Sequence, residues 1–565
     1  MSSLRMRITS VPARSALVVA LTSVVALGGC ARIRRVPSTT PSEGAAYDVV
    51  IRHARIIDGA GTPWYMGDVA LRGDRIALVG VVPSDVAARR TIDARGLVVA
   101  PGFIDMLGHS EFALLQQPRA LSKITQGITS EITGEVESAW PNTVPTARET
   151  RTAEQPWSSL GGYFSELERR GTAINLGTYV AAGSVRRAVM GDASRHPTTE
   201  ELSRMEQLVD SAMRDGAMGF STGLIYPPST FFSTEELIAL ARRAARYGGG
   251  YASHIRDEGA GLHDAIREAV RIGSTAGTWV EIRHLKASGE SNWGKMAGAV
   301  ALIDSARRAG LDVTADVYPY TASGTGLSAI LPTWVQAGGT DSMVARLRDP
   351  AIRARLHGEL SEVRRPGQVL VNSVRTDSLR RYEGVRLDSV GRWRAQDPYD
   401  AAFDILVADR GATSAIYFTM SEQDLRLALR QPWTSIGQDA GAVTPDSLSR
   451  GRGHPRGFGT FPRILGRYVR EDSLLTLEEA VRKMTSLAAQ RVGLARRGLL
   501  APGMFADVVL FDPTTVADRA TFERPQQLST GVRFVFVNGV AVIEDGVETR
   551  ALPGRALRGP GAAEQ

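Results

Sequence analysis

PGFIDMLGH, residues 101–109, is an apolar run that begins at a proline-glycine break and ends in a histidine. It reads as a short buried strand that pushes His109 out of its C-terminal end. Seven more runs of this kind follow: GITSEITG (127–134), INLGTYVA (174–181), AMGFST (217–222), GYASHIR (250–256), WVEIRHL (279–285), DVTADVYP (312–319) and TSIGQD (434–439). Between them, stretches such as TEELIALARRAARYG (234–248) and GKMAGAVALIDSARRAG (294–310) carry apolar residues at helical spacing. Eight strands alternating with helices predict an α/β fold, a (β/α)8 TIM-like barrel. The interval before the eighth strand is too long for a loop, so residues 325–415 are expected to form an inserted lobe.

Outside the barrel the pattern changes. YDVVIRHARIIDG, GDVALRGDRIALVG and TIDARGLVVAPG lie near the start, and FADVVLFDP (505–513) and VRFVFVNGVAVIEDG (532–546) near the end. These strand-like runs, punctuated by Gly and Asp, predict a small composite β-sandwich from residues 47–102 and 500–550, with the barrel over 103–499. Residues 31–46 are rich in Pro, Ser and Thr and read as a linker.

The first thirty residues read as an export signal. Arg5, Arg7 and Arg14 precede an uncharged apolar stretch from Ala16 to Leu27, followed by Gly28, Gly29 and Cys30. The stretch is short for a bilayer span, and Cys30, the single cysteine, stands where a lipoprotein-type signal peptide places the cysteine that is lipidated. The expected address is outside the bacterial cytoplasm, as a periplasmic or cell-envelope lipoprotein. One cysteine also excludes an intrachain disulfide, and the mature domain has no thiolate to offer a metal. Of the net charge of +7, residues 1–44 carry +5 and the rest of the chain +2. Basicity therefore belongs to the signal and tether and is no argument for nucleic-acid binding.

Reactive groups of a (β/α)8 barrel sit at the C-terminal ends of its strands. Reading those ends gives His109 on the first, Glu135 past the second, Tyr226 after the fourth, His254 on the fifth, His284 on the sixth, Tyr320 after the seventh and Asp439 on the eighth. Taken singly, each has an ordinary explanation: a hydrogen-bonded loop histidine, an exposed charge, a capping aspartate. Together, three of the chain's eight histidines and an aspartate at four strand ends point to a catalytic metal.

Longer blocks carry a resemblance. GAMGFSTGLIYPPSTFFSTEELIALA (216–241), YASHIRDEG (251–259), VEIRHLKASG (280–289), DVYPYTASGTGLSAILPTW (316–334) and MSEQDLRLALRQPWTSIGQDAG (420–441) are similar to the N-acyl-D-amino-acid deacylase (D-aminoacylase) family of the amidohydrolase superfamily. So are HPRGFGTFPRILGRYVRE (454–471) and KMTSLAAQRVGLARRGLLAPGMFADVVLFDP (483–513). The resemblance implies that His254 and His284 hold zinc and that Asp439 is the general base and acid. It implies that Tyr226, Lys286, Tyr320 and Arg456 hold the substrate carboxylate, which wants cationic, multiply donating partners; for Lys286 and Arg456 a structural ion pair is the competing reading.

Two positions depart from the family. Its first-strand histidine pair is reduced to Leu107 and His109, and its cysteine ligand after the second strand is absent from ITGEVES (132–138). Val136 stands in the cysteine's register, and Glu135 is expected to supply an oxygen in place of the thiolate. Leu107 removes a ligand of a second metal site, so one Zn2+ per chain is expected, with His109 at the edge of the ligand set, facing the oxyanion or substrate. The implied reaction is hydrolysis of an N-acyl-D-amino acid by metal-activated water. The alternatives are a relative acting on a dipeptide, cyclic amide or lactone, and a non-catalytic surface lipoprotein that binds cell-wall fragments. The implied partners are a small-molecule substrate, no nucleic acid, and a membrane only through a lipidated Cys30; no signal sets the oligomeric state.

Overall fold

The computed structural model describes residues 47–141, 156–360, 365–445 and 451–562. The signal peptide (1–30) and linker (31–46) lie outside the described residues.

Eight parallel strands form the barrel, in the order the sequence predicts. They are Phe103–Asp105, Ile128–Thr133, Asn175–Thr178 continued by Val180–Ala181, Gly219–Gly223, Gly250–His254, Val280–Ile282, Val313–Val317 and Thr434–Ile436. The ring closes between the last strand and the first, where Met106 N–H donates to Ile436 O at 3.2 Å and Asp439 N–H to Leu107 O at 2.7 Å. The strands are buried on both faces, as a sheet wrapped in helices requires. One such helix, Thr234–Ala245, starts at Ser233. The Ser233 hydroxyl accepts from Glu236 N–H, and the Glu236 carboxylate accepts from Ser233 N–H at 2.8 Å. Its apolar face of Leu237, Leu240, Ala241 and Ala244 joins the main core.

Both chain ends contribute to one nine-stranded sheet. Tyr47–Ile56 is its branch point: its first half pairs with Ala88–Asp93 and its second with Val98–Pro101, while on its other edge the register with Tyr65–Arg72 shifts between Ile51 and Ala54. Val98–Pro101 then pairs antiparallel with Val508–Phe511, which joins the C-terminal strands to the N-terminal ones. The sheet folds over a separate core containing Ile51, Val69, Leu71, Val99, Val508 and Phe536.

The insertion before the eighth barrel strand has a three-stranded antiparallel sheet of Ser323–Gly326, Ser414–Tyr417 and Val369–Ser373, in that spatial order. It has its own core, including Leu327, Leu347, Val371, Val390, Phe403 and Leu406. Ser323–Gly326 is half-buried throughout and lies at the barrel mouth, where it meets the groups described next.

Candidate active site

The mouth gathers five strand-end residues, His109, Glu135, His254, His284 and Asp439, into one cluster. Glu135 follows Gly134, whose φ of +89° turns the chain inward after the second strand. Its Oε1 lies 2.9 Å from His284 Nε2 and 3.4 Å from His254 Nδ1, and those two nitrogens are 2.9 Å apart. All three side chains are buried. Ligands about 2.0–2.1 Å from a tetrahedral zinc are separated by about 3.3 Å. The three donor atoms therefore stand close to the edge lengths of one metal tetrahedron. Glu135 Oε1 faces both imidazole nitrogens without a hydrogen bond of regular geometry, and His254 Nε2 is buried with no hydrogen-bond partner. A buried carboxylate in that place is costly unless positive charge, on an imidazole or a metal, faces it.

Electrostatics give the same picture. Burial and Lys286 oppose charge on His284, yet Glu135 and Glu258 outweigh them and push its pKa up to about 10. Burial works against ionisation of Glu135, while His284 and His254 hold its carboxyl well below the usual range. The pocket between the imidazoles and Glu135 thus favours positive charge.

His109 and Asp439 form the other side. His109 Nε2 lies 2.9 Å from Asp439 Oδ1 and 3.6 Å from Glu135 Oε2. Arg456 Nη1 pairs with Asp439 Oδ2 at 2.6 Å. Despite burial, Arg456 and His109 hold the Asp439 carboxyl below its ordinary pKa. Glu135 is shared by two potential ligand sets, one with His254 and His284 and one with His109 and Asp439. Two of these residues have left-handed backbones, His284 at φ +34° and Asp439 at φ +52°. Such conformations are uncommon outside glycine and persist where surrounding structure enforces them.

Lys286 is buried; its Nζ donates to Glu258 and lies 2.7 Å from His284 Nδ1. The Tyr226 ring stands edge-on to His254 at 5.2 Å, and its hydroxyl meets Thr325 Oγ1 of the lobe at 2.9 Å. Arg456 Nη2 donates to the lobe carbonyl of Gly324 at 3.0 Å. Tyr320 is placed differently from expectation: its hydroxyl donates to Pro455 O at 3.4 Å, and its ring packs with His454, Phe522 and Arg463. The tyrosine beside the cluster is Tyr318, with its ring 6.3 Å from His284 and beneath the Arg456 guanidinium at 4.7 Å. Tyr318 and Tyr320, two residues apart past the strand end, thus take different partners.

Sequence reasoning assigned no role to Glu258. Its Oε1 sits 3.0 Å from His284 Nδ1, and Lys286 and the histidines hold its pKa low against the cost of burial. A signal was present: an acid four residues after a strand-end histidine. Leu107 is fully buried, its Cβ facing the space above Gly437, and offers no donor to the mouth.

Imidazoles, a shared carboxylate and an aspartate at the mouth of a (β/α)8 barrel define a metal-hydrolase class of site. Residues 90–543 match the Amidohydrolase family, and the chain belongs to that family. Within it, the chain falls in the N-acyl-D-amino-acid deacylase branch. It is 37% identical over 525 residues to a D-aminoacylase of Alcaligenes xylosoxydans xylosoxydans, covering 91% of this chain and 98% of that one. To an N-acyl-D-glutamate deacylase of the same organism it is 38% identical, over 90% of this chain and 96% of the relative. Among solved structures, an N-acyl-D-glutamate deacylase from Bordetella bronchiseptica, complexed with zinc and a phosphonate mimic of the tetrahedral intermediate, superposes with a TM-score of 0.77. That match is at 34% identity and covers 91% of this chain and all of the other.

Proposed function

We propose that the protein is a zinc-dependent hydrolase that removes the acyl group from N-acyl-D-amino acids. The observation that carries this reading is the convergence of Glu135, His254 and His284 on one point beside the Asp439–Arg456 pair, in a chain related over nearly its whole length to D-aminoacylases.

Glu135, His254 and His284 would hold the metal, with His109 on the far side of Glu135. Bound there, zinc supplies Lewis acidity to the amide carbonyl and lowers the pKa of water. Asp439, kept ionised by Arg456 and His109, accepts the proton of the attacking water and returns it to the departing amine nitrogen. Carbonyl-carbon attack breaks the C–N bond, leaving a carboxylic acid and a free D-amino acid. Lys286 and Arg456 bring positive charge to the mouth, and Tyr226 and Tyr318 bring hydroxyl-bearing rings. This is a suitable environment for the substrate carboxylate.

Asp439→Ala should keep zinc bound and lower kcat by about a thousandfold or more. Wild-type turnover in that variant would remove Asp439 as the base. Metal analysis of Glu135→Ala is the companion measurement, and unchanged zinc content there would take Glu135 out of the ligand set. Rates on N-acetyl-D-amino acids, their L-enantiomers and cyclic imides separate the deacylase reading from that of a cyclic amidase.

We also infer, from residues 5–30 alone, that the protein is exported and lipidated at Cys30. Metabolic labelling with palmitate should mark the wild type and not Cys30→Ser; equal labelling of both rules out this anchor.

A further inference from the structure

The segment bearing Asp439 is held by side chains from a distant part of the chain. Asp105 Oδ1 accepts from Gln438 N–H at 2.8 Å and from Leu107 N–H at 3.2 Å. Lys123 Nζ donates to Ala440 O at 2.8 Å. Ser110 Oγ accepts from Ala442 N–H at 2.7 Å, and Ser122 Oγ from Val443 N–H at 2.9 Å. Asp105, Ser110, Ser122 and Lys123 are all completely buried. Beneath this backbone, Lys123 Nζ lies 2.8 Å from Asp105 Oδ2 and 3.3 Å from Glu131 Oε1, which also accepts from Ser110 Oγ at 2.7 Å.

A buried ion cluster is poor evidence of added stability, because desolvation offsets the attraction and apolar packing commonly does as well. Its geometry shows a more specific consequence. The cluster bonds the N–H of Gln438 and the C=O of Ala440, the residues on either side of Asp439, which itself stands at φ +52° and donates its own N–H to Leu107 O. An aspartate without such restraints relaxes to negative φ, which swings the carboxylate away from its present contacts. Those contacts, with His109 at 2.9 Å and Arg456 at 2.6 Å, define where the carboxylate meets the mouth.

We propose that Lys123, Asp105 and Glu131 form a positioning cluster for Asp439: they clamp the eighth-strand terminus to the first strand and fix the base in its left-handed conformation. The inference rests on the reading of Asp439 as the general base. Lys123 is a positioning residue, acting through the Ala440 carbonyl without touching substrate or metal.

The test is a double-mutant cycle on the zinc-loaded, full-length protein with Lys123→Met, Asp439→Ala and the pair, assayed on an N-acetyl-D-amino acid. Lys123→Met is expected to lower kcat about 100-fold, the scale of a small misplacement of a reacting group. KM should change by no more than roughly threefold, and zinc content should hold. In the Asp439→Ala background, adding Lys123→Met should cost nothing further, because the two substitutions disable one device. Losses that multiply overturn the positioning role alone. A wild-type rate for Asp439→Ala overturns the base assignment and, with it, this role. If Lys123→Met does not fold, Ser110→Ala decides: it frees Ala442 N–H and one Glu131 contact while leaving the ion cluster in place. A kcat reduced about tenfold in folded, zinc-loaded Ser110→Ala, with KM held, supports the proposal; an unchanged kcat per bound zinc overturns it.

Discussion

At the residue scale, the site is a balance between carboxylates and cations out of water. Glu258 stands behind His284 on the side away from Glu135, with its Oε1 3.0 Å from the ring Nδ1 and bonded to Lys286. A carboxylate in that place orients the imidazole and raises its basicity. Glu258→Gln should weaken zinc binding about 10- to 100-fold, read by competition with a chelator. Deeper in the barrel, burial and then Asp316 push Glu281 up to about pKa 7. A carboxyl whose folded pKa is raised binds its proton more tightly in the native state than in the unfolded one. Stability from this group is therefore lost as pH rises from the unfolded value toward 7. Glu281→Gln should raise the melting temperature at pH 8 and have a smaller effect at pH 5, measured by calorimetry; a larger gain at the lower pH contradicts this sign.

At the element scale, the eight barrel strands and their polar ends were legible because buried parallel strands leave apolar runs and the barrel puts reactive groups at one rim. His254, His284 and Glu135 could be read for that reason. Tyr318 and Tyr320 could not be told apart, because past the end of Val313–Val317 no periodicity says which ring turns inward. Glu258 left only the weak signal of an acid four residues after a strand-end histidine, and the Asp105–Lys123–Glu131 cluster was illegible for a different reason: its meaning lies in partners that the sequence separates and the barrel seam unites. The same holds for the lobe strand Ser323–Gly326, whose contacts with Tyr226 and Arg456 appear only once the insertion is docked. Thr325→Val removes the hydroxyl that meets Tyr226. KM is expected to rise roughly threefold to tenfold with kcat nearly unchanged, and a selective fall in kcat would argue against a substrate-holding role for this strand.

At the scale of the molecule, the folded sheet and the barrel are tied by a buried polar knot. Asn175 on the third barrel strand donates to Asp507 Oδ2 at 3.3 Å and accepts from Asn538 Nδ2 at 2.8 Å, while Arg497 pairs with Asp507 and with Asn538. The C-terminal tail then runs beside that strand: Leu176 N–H donates to Arg555 O at 3.0 Å and Leu557 N–H to Leu176 O at 2.8 Å. Gly554 and Gly559 allow this, since a Cβ at either would meet backbone oxygen within 2.2 Å. Deleting residues 552–565 should lower the melting temperature by roughly 5 °C or more, followed by circular dichroism. An unaltered transition would mean the tail is only draped on the barrel.

Val98–Pro101 and Val508–Phe511 are neighbours in space but about four hundred residues apart along the chain. A ribosome delivers the first long before the second exists. Until the second emerges, the N-terminal strands present an unpaired edge, and the first barrel strand, which continues directly from them, lacks a finished platform. Completion of this fold therefore waits on the end of translation. A nascent chain of this design stays open to chaperones, or to a translocating channel, for nearly the whole time of its synthesis.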